Sequence, residues 1–438
     1  MRDWSPEQVA QAAGGRLVAP APRPGGPARA VIDSRAVGTG DLFVGLPGEH
    51  VDGGRFAPQA LAGGAWGVLV APEHAEAAQC AMPGALIAVD DPLLALQRLA
   101  TAWRRAVGCQ VVGITGSVGK TSTKDILAAM LAQARRTVAN RENLNTEIGL
   151  PLTVLEAPPD TEALVLEMGM RGPGQIAELT AIAEPDVGLI TAVAPVHLEL
   201  MGSIEAIAAA KAELVAGLRP GGTAVLPAGE ALLEPHRRDD VATVTFGPGG
   251  DVEELPKGLD LKVAGVGGRD PISAHMRRNA LAALAAARAL GVEPSGALQV
   301  ALSSFRGQRT HLPGDIVVVN DCYNANPMSM RAALDDLAAS ASGRRVAVLG
   351  DMLELGPDEA RFHAEVGAHA KAAGVDLLVA VGPRAAHFAD GYGEVVALPD
   401  AQAAADTVPG LLQPGDTVLL KASRGVGLEV VARALEAA

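Results

Sequence analysis

The stretch Gly113-Ile114-Thr115-Gly116-Ser117-Val118-Gly119-Lys120-Thr121-Ser122 decides how this chain is read. It closes an apolar run from Gln110 to Thr115, which reads as a buried strand. It opens a segment that reads as a helix from about Lys120 to Gln133. Strand, glycine turn and helix in that order are the setting of a phosphate-binding loop. Glycines let backbone N–H groups approach phosphate oxygens, and the helix N-terminus adds partial positive charge. Lys120 would reach the β and γ phosphates, and the Thr121 hydroxyl would ligate Mg²⁺. The spacing is a variant, because the position five before the Gly-Lys pair is Ile114 rather than glycine.

Outward from the loop, Ala163 to Glu167 and Val187 to Ala192 are short apolar runs of the kind a parallel sheet buries on both faces. Open α/β sheets bind ligands at the carboxyl ends of their strands. Glu167 closes its strand, so it falls beside the phosphate loop if the two strands share a sheet. A hard oxygen donor there suits Mg²⁺; the plainer reading is a solvated strand-end acid. His197 follows the next strand at the same edge. It would touch phosphate or metal-bound water, or be an ordinary loop histidine.

Lys211 stands out by periodicity. Ile204 to Leu218 reads as a helix, with Ser203 as N-cap and Gly217 and Pro220 near its end. Ile204, Ile207, Ala208, Val215 and Leu218 form its apolar face, and position 211 lies on that face. A charged lysine there is unfavourable unless paired or neutralised. Burial lowers a lysine pKa and frees the amine as a nucleophile. Such an amine takes up CO₂ to become a carbamate, an oxygen donor. The alternatives are a lysine snorkelling from the rim or one bonded to a carboxylate.

The 438 residues suggest about three domains at roughly 150 residues each. Apolar residues are 49% and aromatics only 3%, which fits stacked βα units better than a sandwich or barrel. The formal net charge of −14, with no basic run, argues against nucleic acid and membrane surfaces as partners. The start lacks a signal-peptide core, and no uninterrupted apolar stretch is long enough to cross a bilayer. Cys80, Cys109 and Cys322 are scattered and odd in number, so a reduced cytoplasm is the expected compartment.

Residues 1–107 mix short strands, among them Val31 to Asp33, Leu42 to Val44 and Trp66 to Val70, with a helix from Leu94 to Ala106. Residues 108–307 hold the α/β pattern of the phosphate loop. Residues 308–438 alternate Ala-rich helices with strands at Ile316–Val319, Arg345–Leu349, Leu377–Val381, Val395–Leu398 and Thr417–Leu420. Right-handed crossovers make this last part a doubly wound, Rossmann-like sheet. The expected fold class is therefore α/β throughout, in three domains: a mixed α/β one, a central P-loop one with a mostly parallel sheet, and the Rossmann-like one.

With these residues in view, the chain resembles the Mur ligases along its whole length. The phosphate loop, Glu167 in Leu-Glu-Met-Gly, His197-Leu198-Glu199 with Gly202-Ser203-Ile204-Glu205, and Ala210-Lys211-Ala212-Glu213 carry the likeness. So do Asp33-Ser34-Arg35, Asn143 to Pro151, Asp321-Cys322-Tyr323-Asn324-Ala325-Asn326-Pro327, Gly350 to Gly356, and Lys421-Ala422-Ser423-Arg424-Gly425. The resemblance implies an N-terminal domain for the UDP end, a central ATPase, and a C-terminal domain that closes over ATP. It implies a monomer that joins D-alanyl-D-alanine to a UDP-N-acetylmuramoyl-tripeptide through an acyl phosphate, using ATP and two Mg²⁺ ions. Lys120, Glu167, His197 and Lys211 are the expected catalytic residues. Thr121, Glu167, His197 and carbamylated Lys211 are the expected metal ligands.

By the same resemblance His275 or Asn279 contacts the adenine side. Arg309, Asp321 and Asn324 join the nucleotide after closure. Ser34, Arg35, Asn145, Thr146, Lys421 and Arg424 face the substrates. The chain departs from the family pattern at Asn320, where an aspartate is usual, and at Gln308-Arg309, where Gly-Arg is usual. It also departs in the short stretch between Arg219 and His275, with Leu226-Pro227-Ala228-Gly229 in place of an Asn-Ala-Asp-like turn. Rival readings are a related ligase adding one amino acid (a diamino acid or glutamate), a cyanophycin or folyl-polyglutamate type, a non-catalytic nucleotide-binding regulator, and a simple P-loop hydrolase.

Overall fold

Nineteen short strands sort into three main sheets and one two-stranded ribbon in the computed structural model, which describes residues 1, 3–22, 24–79, 83–141, 143–196, 198–263 and 272–437. The N-terminal sheet holds β1 (Arg16–Ala19), β2 (Ala30–Val31), β3 (Leu42–Val44), β4 (Gly67–Val70) and β5 (Ala85–Ala88), in the order β1-β5-β4-β3-β2. Only β1 runs antiparallel, against β5. The strand read at Val31 to Asp33 is shorter and shifted. Ile32 is exposed, and Asp33 turns away to pair with Arg35.

The central sheet is wholly parallel. Its strands are β6 (Gln110–Thr115), β7 (Thr137–Ala139), β8 (Ala163–Glu167), β9 (Val187–Ile190), β10 (Thr223–Pro227) and β11 (Ala242–Phe246), in the order β11-β10-β9-β6-β8-β7. β8 and β9 are buried along their full length, as strands covered on both faces must be. From β6 the chain crosses to the β7–β8 side and then returns to β9 on the other. The order thus reverses between β6 and β9, and a crevice opens at their carboxyl ends. β9 stops at Ile190, two residues before the end read from the sequence. Beyond it, Ala192 gives its carbonyl to Ser117 N–H of the phosphate loop at 2.9 Å instead of to a strand.

The ribbon pairs β12 (Leu259–Val263) with β13 (Gly296–Val300). The C-terminal sheet holds β14 (Gln308–Leu312), β15 (Ile316–Asn320), β16 (Arg345–Gly350), β17 (Leu377–Val381), β18 (Val396–Leu398) and β19 (Thr417–Lys421), ordered β14-β15-β19-β16-β17-β18. The strand β14 was not legible. It is a half-polar edge strand, antiparallel to β15, and an edge tolerates polar residues on a strand that no second neighbour covers.

The helices have readable ends. Asp91 caps Pro92–Val107 through Leu93 and Leu94 N–H, Pro92 fills its first turn, and Gly108 ends it at φ 67°. This helix joins the first two units rather than merely linking them. Leu96, Leu99 and Trp103 belong to one apolar cluster with Leu150, Val154, Leu164 and Leu179. The C-terminal unit has separate clusters on the two faces of its sheet. It touches the centre through Leu198, which packs on one of those clusters, and through Gly356, where a Cβ would meet the Glu199 backbone at 3.6 Å.

Candidate active site

The phosphate loop is strapped to the loop after β9. Ser117 Oγ donates to Ala194 O at 3.0 Å and accepts from Ala194 N–H at 2.9 Å, while Thr191 Oγ1 donates to Val118 O at 2.6 Å. Two glycines make this close fit possible. Gly116 sits at φ 148° with Thr191 where a Cβ would go, and Gly119 sits at φ 81° with the Asn279 amide there. Lys120 begins the helix Lys120–Ala132 and folds its ammonium onto Gly116 O at 2.8 Å. Desolvation in the cleft lowers its pKa, the Glu167 carboxylate raises it, and the Arg306 charge lowers it again.

Glu167 ends β8 in register with Ile114 of β6, next to the phosphate loop, as its strand position required. It is 2% exposed. Asn140 grips its backbone, accepting from Glu167 N–H at 2.8 Å and donating to Glu167 O at 3.0 Å. Asn145 Nδ2 donates to Oε1 at 2.9 Å, and Oε2 is buried with no hydrogen-bond partner. A carboxylate oxygen withdrawn from water and left unbonded is unfavourable, and a hard cation satisfies it.

Lys211 is also 2% exposed, on the helix Ile204–Ala216 whose N-cap is Ser203. The single apolar face read from the sequence is too narrow. Ala210, Ala212 and Leu214 are buried as well, so the helix is enclosed on most sides. No hydrogen bond or ion pair holds the Lys211 amine among the described residues. Burial first, and then the like charge of Lys120, push its pKa well below the ordinary lysine value. The two amines therefore share one neighbourhood. His197 lies outside the described residues, and no cluster of three or more His, Cys, Asp or Glu side chains suited to a metal occurs among those that are described.

The other expected residues divide. His275, Asn279, Arg309, Asp321, Asn324, Asn145, Thr146, Lys421 and Arg424 all line one cleft of about 1300 Å³ between the central and C-terminal units. That exceeds the roughly 300–1,000 Å³ of an ordinary small-molecule pocket, leaving room for more than one ligand. Asn279 lies at the phosphate end, against Gly119. Arg309 bonds Ser340 Oγ at 2.7 Å and Asp336 at 3.3 Å. Lys421 is buried; its amine holds Asp321 at 2.6 Å and Asn324 O at 3.0 Å, fixing the Asp321–Asn324 loop. Ser34 and Arg35 stand apart on the N-terminal unit and do not line this cleft. There the Arg35 guanidinium holds the exposed Asp33 carboxyl at about 2.

Sequence reading missed Asn140, Thr191 and Arg306. The first two work through backbone contacts that leave no motif. Arg306 precedes β14 and reaches back across the cleft to Thr121 Oγ1 at 3.1 Å.

Three family models match the chain in order: Mur ligase family, catalytic domain at residues 30–104, Mur ligase middle domain at 114–287, and Mur ligase, glutamate ligase domain at 306–424. A UDP-N-acetylmuramoyl-tripeptide–D-alanyl-D-alanine ligase from Synechocystis is 41% identical over 411 residues, spanning 91% of this chain and 90% of its own. The Escherichia coli protein of that name is 33% identical, spanning 92% of each chain. Among solved structures, MurF from Acinetobacter baumannii superposes with a TM-score of 0.85 at 29% identity, covering 99% of both chains. MurF from Thermotoga maritima, in complex with ADP, gives 0.78 at 29% identity over 93% of this chain and 97% of that one.

Proposed function

The chain belongs to the Mur ligase family, and from that membership and its site we propose that it is an ATP-dependent ligase joining D-alanyl-D-alanine to UDP-N-acetylmuramoyl-tripeptide in peptidoglycan precursor synthesis. The observation that carries the chemistry is the gathering of Lys120, the half-bonded Glu167 and the buried Lys211, unpaired among the described residues, around one phosphate loop. A ligase adding a single amino acid is not favoured, since relatives spanning nine-tenths of the chain bear the D-alanyl-D-alanine name. A simple hydrolase has no need of a second cleft wall or of Lys211.

An acid and an amine do not condense unaided in water. An oxygen of the peptide carboxylate attacks the γ-phosphorus of ATP, the bond to the β-γ bridging oxygen breaks, and ADP leaves. The amine of D-alanyl-D-alanine then adds to the acyl phosphate carbonyl, and the tetrahedral adduct loses the amine proton and expels phosphate, leaving the amide. Such chemistry asks the protein mainly for positioning and charge neutralisation. Lys120 and the loop N–H groups neutralise the phosphates. Thr121 and the free oxygen of Glu167 fit one Mg²⁺. Lys211, carbamylated by CO₂ with loss of a proton, would hold a second; the family resemblance adds His197, which lies outside the described residues. Bound there, Mg²⁺ would offset charge on the transferring phosphoryl. Docking of the C-terminal domain keeps water from the acyl phosphate. No helix among the described residues is long and apolar enough to cross a membrane, and we assign the enzyme to the cytoplasm, where ATP and UDP-linked precursors are found.

Phosphate release tests the reading. With ATP, UDP-linked tripeptide and D-alanyl-D-alanine present, steady release is expected. It should stop when the dipeptide is omitted, and it should fall at least about a hundredfold in Lys120→Ala. Release that continues without either acceptor would make the protein a hydrolase.

A further inference from the structure

Arg306 lies in the connection between the ribbon and the C-terminal sheet, and its surroundings fix it tightly. On one side, Ser303 three residues earlier is clamped to the phosphate-loop helix. Its N–H and Oγ donate to the Asp125 carboxylate at 2.7 and 3.2 Å. On the other side the Arg306 guanidinium lies 3.9 Å from the centre of the Tyr323 ring, which belongs to the C-terminal unit. Phe305, just before it, is held at φ 61°, a conformation an aromatic residue adopts only under constraint. The guanidinium spans the cleft to Thr121 Oγ1, and its Nε is buried without a hydrogen-bond partner.

This placement makes little sense for stability alone. A second cation beside Lys120 raises repulsion in a desolvated site, and a buried N–H goes unanswered. Both are resolved by an anion. The Thr121 hydroxyl is also the group that would hold Mg²⁺, and an oxygen that lends a lone pair to a dication is a poorer acceptor for a guanidinium. With Mg²⁺ and ATP bound, Arg306 would release Thr121, and phosphate oxygens would be the acceptors at hand.

We propose that Arg306 is a further phosphate-binding residue, an arginine supplied in cis from the domain connection that bonds the terminal phosphate of ATP and so ties triphosphate binding to the docked position of the C-terminal unit. The proposal rests on the ligase reading above. Arg306 neither gives nor takes a proton. It offsets charge on the phosphoryl group as the carboxylate oxygen bonds to phosphorus and the β-γ bridge opens. Tyr323 supplies the face along which the planar group reorients. Because ADP lacks the terminal phosphate, the residue discriminates between substrate and product nucleotide.

The test is calorimetric binding of ADP and of a non-hydrolysable ATP analogue, with Mg²⁺, to the full chain and to Arg306→Ala and Arg306→Gln. Analogue affinity should fall about ten- to a hundredfold in both variants, the scale of one charge-assisted bond, with ADP affinity changing less than about threefold. Glutamine keeps a donor for Thr121 without the charge. Recovery of analogue binding in Arg306→Gln would therefore reduce the residue to a structural tie and overturn the proposal. Equal losses for both nucleotides, or none for either, would overturn it too. ADP binding in the variants reports that they are folded. A parent that binds neither nucleotide would sink the ligase reading and this proposal together; a parent that binds both, with variants that keep its preference, sinks only the role of Arg306.

Discussion

Lys211, like Arg306, holds a position that stability alone does not explain. Its amine is neutral in the folded chain over the range between its lowered pKa and the ordinary value of 10.5, where the unfolded chain still holds the proton. The unfolded state then binds more protons, so this site's contribution to stability rises with pH towards 10.5 and is least favourable at low pH. Lys211→Met removes that dependence. In bicarbonate-free buffer at neutral pH the variant should be more stable than the parent by on the order of 1–4 kcal/mol, because folding no longer strips a proton that the unfolded chain holds at that pH. Urea denaturation across pH 6 to 9, a window of roughly the kind linkage analysis needs, would read both effects. Ligase activity should be lost in the same variant. Lys211→Ala should be rescued in part by short carboxylic acids, which supply the missing oxygens. A methionine variant less stable than the parent would mean that the amine is already satisfied in the fold.

At the scale of elements, the helix Ile204–Ala216 presents Lys211, and its start is fixed by Ser203, whose Oγ accepts from Ala206 N–H at 3.1 Å. Ser203→Ala leaves that N–H unpaired and should lower unfolding free energy by about 1 kcal/mol. Thermal melting checks this; a change near zero would mean that the enclosure of the helix, not its cap, sets its register. Helix starts of this sort were legible because a cap is a local signal. The full burial of the helix was not, because alanines such as Ala210 and Ala212 read equally well on an exposed or a covered face. The edge strand β14 escaped for the opposite reason, since its half-polar sequence carries no alternation that a turn would not also show.

Across the whole molecule the cores are unevenly divided. The N-terminal and central units share one apolar cluster, whereas the C-terminal unit keeps its own on both sheet faces. A fragment of residues 308–438 should therefore unfold cooperatively by itself in urea. A fragment of residues 108–438 should lose part of its structure, because removal of the first unit bares Leu150, Val154 and Leu164. Circular dichroism with a hydrophobic dye would distinguish the two, and a well-folded 108–438 fragment binding no dye would contradict the shared core.

The sequence by itself determined the phosphate loop, the α/β class, the strand ends that carry Glu167, and the helical phase that turns Lys211 inward. Each depends on spacing along the chain, and spacing survives without knowledge of what lies opposite. Only the tertiary structure decided that Asn140 and Asn145 grip Glu167, that Thr191 straps the loop, that Lys421 fixes the Asp321–Asn324 turn, and that Arg306 reaches Thr121 from 185 residues away. Those contacts join groups from different strands and units, and no periodicity encodes which side chain meets another across a cleft.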